Sequence, residues 1–236
     1  MLGALIGGAH MALGSPWGEI LLVLGAYLLG GIPFGWIIAK VFKGVDLRTV
    51  GSGGTGATNC SRLWQGTRSL LMFLLVFTLD FVKGIAGALV SVDVADALAS
   101  WLGADANVMT LQVCCGLAVI LGHMFSPYLK FRGGKGVATS FGVVLALAPI
   151  SALWGLAAWA VMVGLTRYMS LGSIAAMVAI AISHTLIYGE RAFQDRLAIS
   201  LFLLASAAAV IWRHRENIQR ILAGTERRIG EADQKL

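Results

Sequence analysis

Apolar residues fall in long runs along this chain, separated by short polar segments rich in glycine. Runs cover about Glu19–Lys40, Ser69–Val90, Val108–Leu121, Ile150–Leu165, Leu171–Tyr188 and Phe193–Trp212. A helix needs about 20 apolar residues to cross a hydrocarbon core of about 30 Å, so each run predicts a membrane span. A further run, Val137–Pro149, is shorter, and its 13 residues reach only about 20 Å as a helix. Either that helix begins inside the preceding Gly-Gly-Lys loop or its start lies below the interface. Both options draw Lys135 toward the acyl-chain region. Counting it, the pattern predicts an all-α integral membrane protein with seven transmembrane helices. The first run is interrupted at Gly30, Gly31 and Pro33, which membrane helices tolerate where neighbours satisfy the freed backbone groups. Residues 1–18 read as an apolar Gly/Ala-rich leader without a basic start, and 19–236 as a single seven-helix domain.

Composition agrees. Of 236 residues 58% are hydrophobic and 13% charged, against about a quarter charged in soluble domains. The net charge of +6 therefore reports topology rather than nucleic-acid binding. Of the 18 Lys and Arg, fifteen fall in segments on one side, two (Arg191 and Arg196) on the other, and Lys83 within a span. The positive-inside rule then puts the N-terminus outside and the C-terminus in the cytosol. Cys60, Cys114 and Cys115 form no metal spacing or disulfide framework. An acidic turn with Asp93, Asp96 and Asp105 is expected before the third span.

Three polar segments share the cytosolic side: Gly51–Arg62, Gly122–Thr139 and Arg213–Glu226. In the first, GSGGTGATN offers backbone and hydroxyl donors, and Arg62 can bind a phosphate bidentately. The second, GHMFSPYLKFRGGKGVAT, holds His123, three cations and four glycines. Such a loop suits close approach of backbone to a ligand, with Lys135 leading into a helix N-terminus. Neither has Walker spacing. In the third, His214 and Asn217 share a face if helical, whereas Arg213, Arg215 and Arg220 read as snorkelling or headgroup residues. Asp80 and Lys83, within the second span, are expected to pair or to face a polar cavity. His123 is either a base or a residue that holds the central loop, and His184 is expected to hydrogen-bond between helices.

Taken in order, GSGGTGATNCSR, DFVKG, GHMFSPYLKFRGGKGVAT and RHRENIQRILAGTE resemble the signatures of the bacterial acyl-phosphate:glycerol-3-phosphate acyltransferases (PlsY). The resemblance implies a bacterial inner-membrane enzyme with a cytosolic active site. It would move a fatty acyl group from acyl phosphate to the 1-hydroxyl of glycerol 3-phosphate, giving lysophosphatidate and phosphate. No cofactor or metal is implied. The implied partners are glycerol 3-phosphate, a long-chain acyl phosphate and membrane lipids, with no nucleic acid and a monomer as the expected unit. Carried over, Ser52, Arg62, Lys135, His214 and Asn217 would touch substrate. Loop positions Gly51, Gly53, Gly56, Thr58 and Asn59, with Gly133, Gly134 and Gly136, would hold phosphate, and Asp80, Lys83 and His123 would support. The family usually carries Asn where this chain has Gly54. The rival readings are an organic-phosphate transporter, which commonly shows repeats that are not evident here, and a non-catalytic lipid-binding protein.

Overall fold

The computed structural model describes residues 16–102 and 108–231. All regular structure among them is helical: α1 (Pro16–Gly31), α2 (Phe34–Lys43), α3 (Ala57–Ser61), α4 (Gly66–Leu102), α5 (Val108–Met124), α6 (Val137–Leu147), α7 (Pro149–Thr166), α8 (Met169–Tyr188), α9 (Leu197–Arg213) and α10 (Arg215–Leu222). Among the described residues five segments are long and apolar enough to cross a membrane: Gly18–Lys43, Gly66–Leu89, Val108–Leu129, Pro149–Thr166 and Met169–Phe193. A sixth arises if α9 and α10, bent by 53°, are taken together. Helix α6 has 11 residues, about 16 Å, and is too short to cross alone. It starts at Val137, so the Gly-Gly-Lys stretch is loop.

The interior is a packed apolar core running through α5, α6, α8 and α9, with Val119, Val143, Ile180, Phe202 and Val210 near or at full burial. The outside is apolar as well: Leu21, Leu153, Leu165 and Leu186 are well exposed, far more than a water-facing surface carries as continuous area. Association of helices in lipid depends on close backbone approach at small residues. The α4–α6 crossing is made this way. A Cβ on Gly84 would lie 2.2 Å from the Thr139 carbonyl oxygen, and one on Gly142 would lie 2.1 Å from that of Phe81. This tight crossing holds the short helix against the long one.

The break between α1 and α2 exposes carbonyls that no helix bond can satisfy. Side chains from α4 and from the loop after α5 take them up. Ser126 Oγ donates to the Gly31 carbonyl at 2.6 Å, and Lys83 Nζ donates to that of Ile32 at 2.8 Å. The Lys83 ammonium also pairs with Asp80 at 2.7 Å and lies over the Phe34 ring. His123 Nδ1 sits 3.4 Å from the same Asp80 oxygen. The buried charge thus does two jobs, neutralising Asp80 and closing a broken helix.

Two expectations need correction. Helix α4 runs on to Leu102, so Asp93 and Asp96 lie on helical backbone rather than in a turn. That stretch carries no Gly or Pro and is rich in Ala and Leu, which favour continuing a helix. Asp105 and most of the leader lie outside the described residues. His184 makes no helix–helix hydrogen bond among the described residues. Its ring packs instead 4.8 Å from Tyr188, one turn along its own helix.

Replacing Lys83 with Met should leave Asp80 and the Ile32 carbonyl without their main partner. Breaking a buried pair costs about 3–5 kcal/mol. The apparent Tm of detergent-solubilised Lys83→Met should therefore fall by on the order of 10 °C. A melting curve matching wild type would show that the pair is dispensable.

Candidate active site

The three polar segments converge on one cavity of about 350 Å³. Of the positions singled out from sequence, Gly51, Ser52, Gly56, Thr58, Asn59, Arg62, Asp80, His123, Gly134, Lys135, Gly136, His214 and Asn217 border it. Gly53, Gly133 and Lys83 do not. Apolar lining comes from Phe73 and Phe77 of α4 and Trp159 of α7.

The first loop is organised by Asn59. Its amide Nδ2 donates to the carbonyls of Leu47 (3.2 Å), Val50 (3.1 Å) and Gly54 (2.9 Å). Its Oδ1 accepts from the Ser52 amide at 3.1 Å. Gly51 adopts a left-handed φ of 58°, and a Cβ there would lie 2.1 Å from Asn59 Oδ1. Asn59 is expected within the phosphate-holding loop; its side-chain amide is spent on the loop itself. The Ser52 amide is spent there too, and that of Gly53 goes to Val50 at 3.0 Å. Ser52, Thr58 and Arg62 of this segment also border the cavity.

The central loop departs further from expectation. The amides of Gly133 and Gly134 do not form a phosphate cradle. They donate to the carbonyls of Met124 (3.2 Å) and His123 (3.0 Å), closing the C-terminal end of α5, whose last carbonyls lack helical partners. The glycines serve protein-to-protein approach: a Cβ on Gly134 would fall 2.2 Å from His123 Nε2. The loop is clamped from the far side by Arg213, whose guanidinium donates to the Gly134 carbonyl at 2.7 Å and that of Gly133 at 3.1 Å. Arg213 is thus more than a snorkelling residue.

This arrangement leaves Lys135 at the tip, half-buried, with its ammonium donating to Asn217 Oδ1. The Asn217 amide donates to Glu226 Oε1 at 2.6 Å, which also accepts from Ser170 Oγ at 2.7 Å. Glu226 Oε2 takes the Arg220 guanidinium at 2.7 Å. Burial would raise the Glu226 pKa, but hydrogen bonds from Asn217, Ser170 and Arg220 outweigh it and hold the carboxyl below its usual range. Lys135 is pushed down to about 8, chiefly by burial; nearby Glu226 opposes the shift, and Arg220 and Arg62 add to it.

His214, between α9 and α10 and almost fully buried, has Nδ1 2.7 Å from the Val210 carbonyl. A carbonyl only accepts, so Nδ1 carries the proton and the neutral ring offers Nε2 as an acceptor. No hydrogen bond joins Ser52 Oγ to a histidine or a carboxylate among the described residues, so these residues hold no base against Ser52. Sequence reasoning gives Arg213 only a snorkelling or headgroup role and assigns none to Ser170 or Glu226. Glu226 could have been found as the last residue of the third motif; Ser170, at the start of a separate helix, carried no signal.

Residues 20–224 match the model of the family described as glycerol-3-phosphate acyltransferase. Glycerol-3-phosphate acyltransferase 1 of Deinococcus radiodurans is 44% identical, over 90% of this chain and 96% of the relative. The Rhizobium meliloti enzyme of that name is 43% identical over 93% and 96%. The crystal structure of PlsY, an integral membrane glycerol 3-phosphate acyltransferase in its glycerol 3-phosphate form, is similar with a TM-score of 0.75 and 39% identity. It covers 90% of this chain and 96% of its own. Its lysophosphatidic acid form scores 0.73. With five or six apolar helices of its own, the chain is a multi-pass membrane protein, and it belongs to the glycerol-3-phosphate acyltransferase family.

Proposed function

We propose that the protein acylates the 1-hydroxyl of glycerol 3-phosphate, taking the acyl group from acyl phosphate and releasing lysophosphatidate and phosphate. The observation that carries this reading is the convergence of Arg62, Lys135, His214 and Asn217 on one cavity that is also lined by the apolar rings of Phe73, Phe77 and Trp159. Both substrates bear phosphate, each with about −1.5 to −2 charge near pH 7 if they ionise like other phosphate monoesters. Arg62 and Lys135 offset that charge, and the Ser52 hydroxyl adds a donor. His214 Nε2 accepts the hydrogen of the glycerol hydroxyl and so aims its oxygen. That oxygen attacks the acyl carbonyl carbon, the bond from carbon to phosphate oxygen breaks, and the departing phosphate takes the proton. Acyl phosphate is already activated, so placement and charge stabilisation supply the catalysis, and no acyl-enzyme is needed. The apolar wall at Phe73, Phe77 and Trp159 receives the start of the acyl chain. We read the membrane as the bacterial inner membrane, the cavity as cytosolic, the N-terminus as outside, and α6 as a sunken seventh element completing seven spans.

Purified protein in detergent should release phosphate from acyl phosphate only when glycerol 3-phosphate is present. A transporter would release none. Acyl-CoA should not replace acyl phosphate. Lys135→Ala should lose at least about a hundredfold in turnover, the scale of removing a preorganised charge from an active site; a fully active variant would end this reading.

The Lys135 pKa makes a further prediction. Its folded pKa lies below the usual value, at about 8, so the cation is intact at lower pH and is lost as pH rises through that value. If the ammonium binds phosphate, kcat/KM, which reports free-enzyme ionisations, should fall above about pH 8. In Lys135→Arg any residual activity should keep its rate at pH 9, because a guanidinium does not deprotonate there. An unchanged alkaline limb in that variant would assign the titration to another group.

A further inference from the structure

The chain does not stop at the third motif. After α10, Gly224 turns it back with a φ of 69°, and the amides of Thr225 and Glu226 both donate to the Arg220 carbonyl, at 2.8 and 3.1 Å. The segment then crosses to the turn between α7 and α8. There the Ile229 amide donates to the Arg167 carbonyl at 2.9 Å, and the Arg167 guanidinium returns hydrogen bonds to the Ile229 carbonyl, one of them 3.1 Å from Nε. Arg228 donates to the Tyr168 hydroxyl at 3.2 Å and lies over its ring. Between this clasp and the Glu226 anchor stands Arg227. With Thr225 and Glu226 it borders the cavity, while its exposure places it at the rim.

We infer that the strap 225–230, clasped to Arg167 and Tyr168, completes the substrate pocket and holds Arg227 at its mouth to capture phosphate-bearing ligands. The inference rests on the proposed reaction for its ligand class but on the strap's own geometry for its residue. Arg220, the other arginine of this segment at the cavity, is held against Glu226 as part of the anchor. Two phosphate-bearing substrates bring more negative charge than Arg62 and Lys135 can balance. A third cation at the rim raises capture of anions without touching the reacting atoms. The clasp matters because a cation on an untethered tail would lose conformational entropy each time it bound.

The test compares Arg227→Ala with Arg227→Lys and with Arg167→Gly. The last removes the clasp guanidinium while suiting the left-handed φ of 62° at that position, so the fold should survive. In Arg227→Ala the KM for glycerol 3-phosphate or acyl phosphate should rise roughly three- to tenfold at low salt, the scale of a partly screened charged hydrogen bond. Its kcat should stay within about twofold. Arg227→Lys should restore most of the KM, and Arg167→Gly should raise KM as Arg227→Ala does. Both KM values unchanged in Arg227→Ala would overturn the proposal. A second readout needs no turnover: glycerol 3-phosphate should protect wild-type protein from trypsin cleavage within Arg227–Arg228. Absence of protection would also count against the strap, whereas protection without any phosphate release would retain the strap and reject the reaction.

Discussion

An ammonium held half out of water at the edge of an apolar interior needs something negative or dipolar behind it. Here that backing is a relay: Lys135 leans on Asn217, Asn217 on Glu226, and Glu226 on Ser170 and Arg220. The relay ties the central loop to α10, to the start of α8 and to the returning C-terminal segment. Each member is satisfied, which is the condition under which a buried polar network fixes one geometry rather than several. Because Glu226 stays ionised, it counters part of the positive field of Arg62 and Arg220 at Lys135. Without it Lys135 would lose its proton more readily, and the loop would end in a neutral amine.

The loop behind Lys135 is rigid for a separate reason. Gly133 and Gly134 face protein on both sides, giving amides to the end of α5 and carbonyls to Arg213. Arg213 immediately precedes His214, so the guanidinium that clamps one loop and the imidazole aimed into the cavity share a single turn of backbone. Movement of α9 would displace both. On the proposed direct transfer, preorganisation of this sort is where the rate enhancement must come from.

How much of this could be read from sequence follows from what each signal encodes. Apolar run length predicts span positions well, because membrane thickness alone sets it; the helices at Val108, Met169 and Leu197 begin within a few residues of the runs. Positions of Arg62, Lys135 and His214 were legible because polar loops on one side of a bundle have little room to avoid one another. The roles of backbone groups were not legible. A Gly-rich loop has the same composition whether its amides hold a phosphate or the end of a neighbouring helix, and here several amides of both loops hold protein. The role of the Asn59 side chain was not legible for the same reason, since an amide side chain in a tight loop is as ready to bond its own carbonyls as a ligand. Glu226 escaped notice because its partners come from α8 and α10, far apart in sequence.

The break between α1 and α2 shows the same economy of polar groups from the other side of the site. Its carbonyls could have been left for a ligand, yet Lys83 and Ser126 take them up, and Lys83 is in turn neutralised by Asp80. Asp80 borders the cavity but faces Lys83 and His123, so its negative charge is compensated before it can repel a phosphate. A bare carboxylate there would oppose the binding of every anionic substrate. The pair therefore contributes to the site by cancellation: it lets a structurally needed lysine sit deep in the bundle while keeping the cavity's field set by Arg62 and Lys135. Deep charges and shallow charges in this protein belong to different tasks, one to hold the helices and one to meet the ligand.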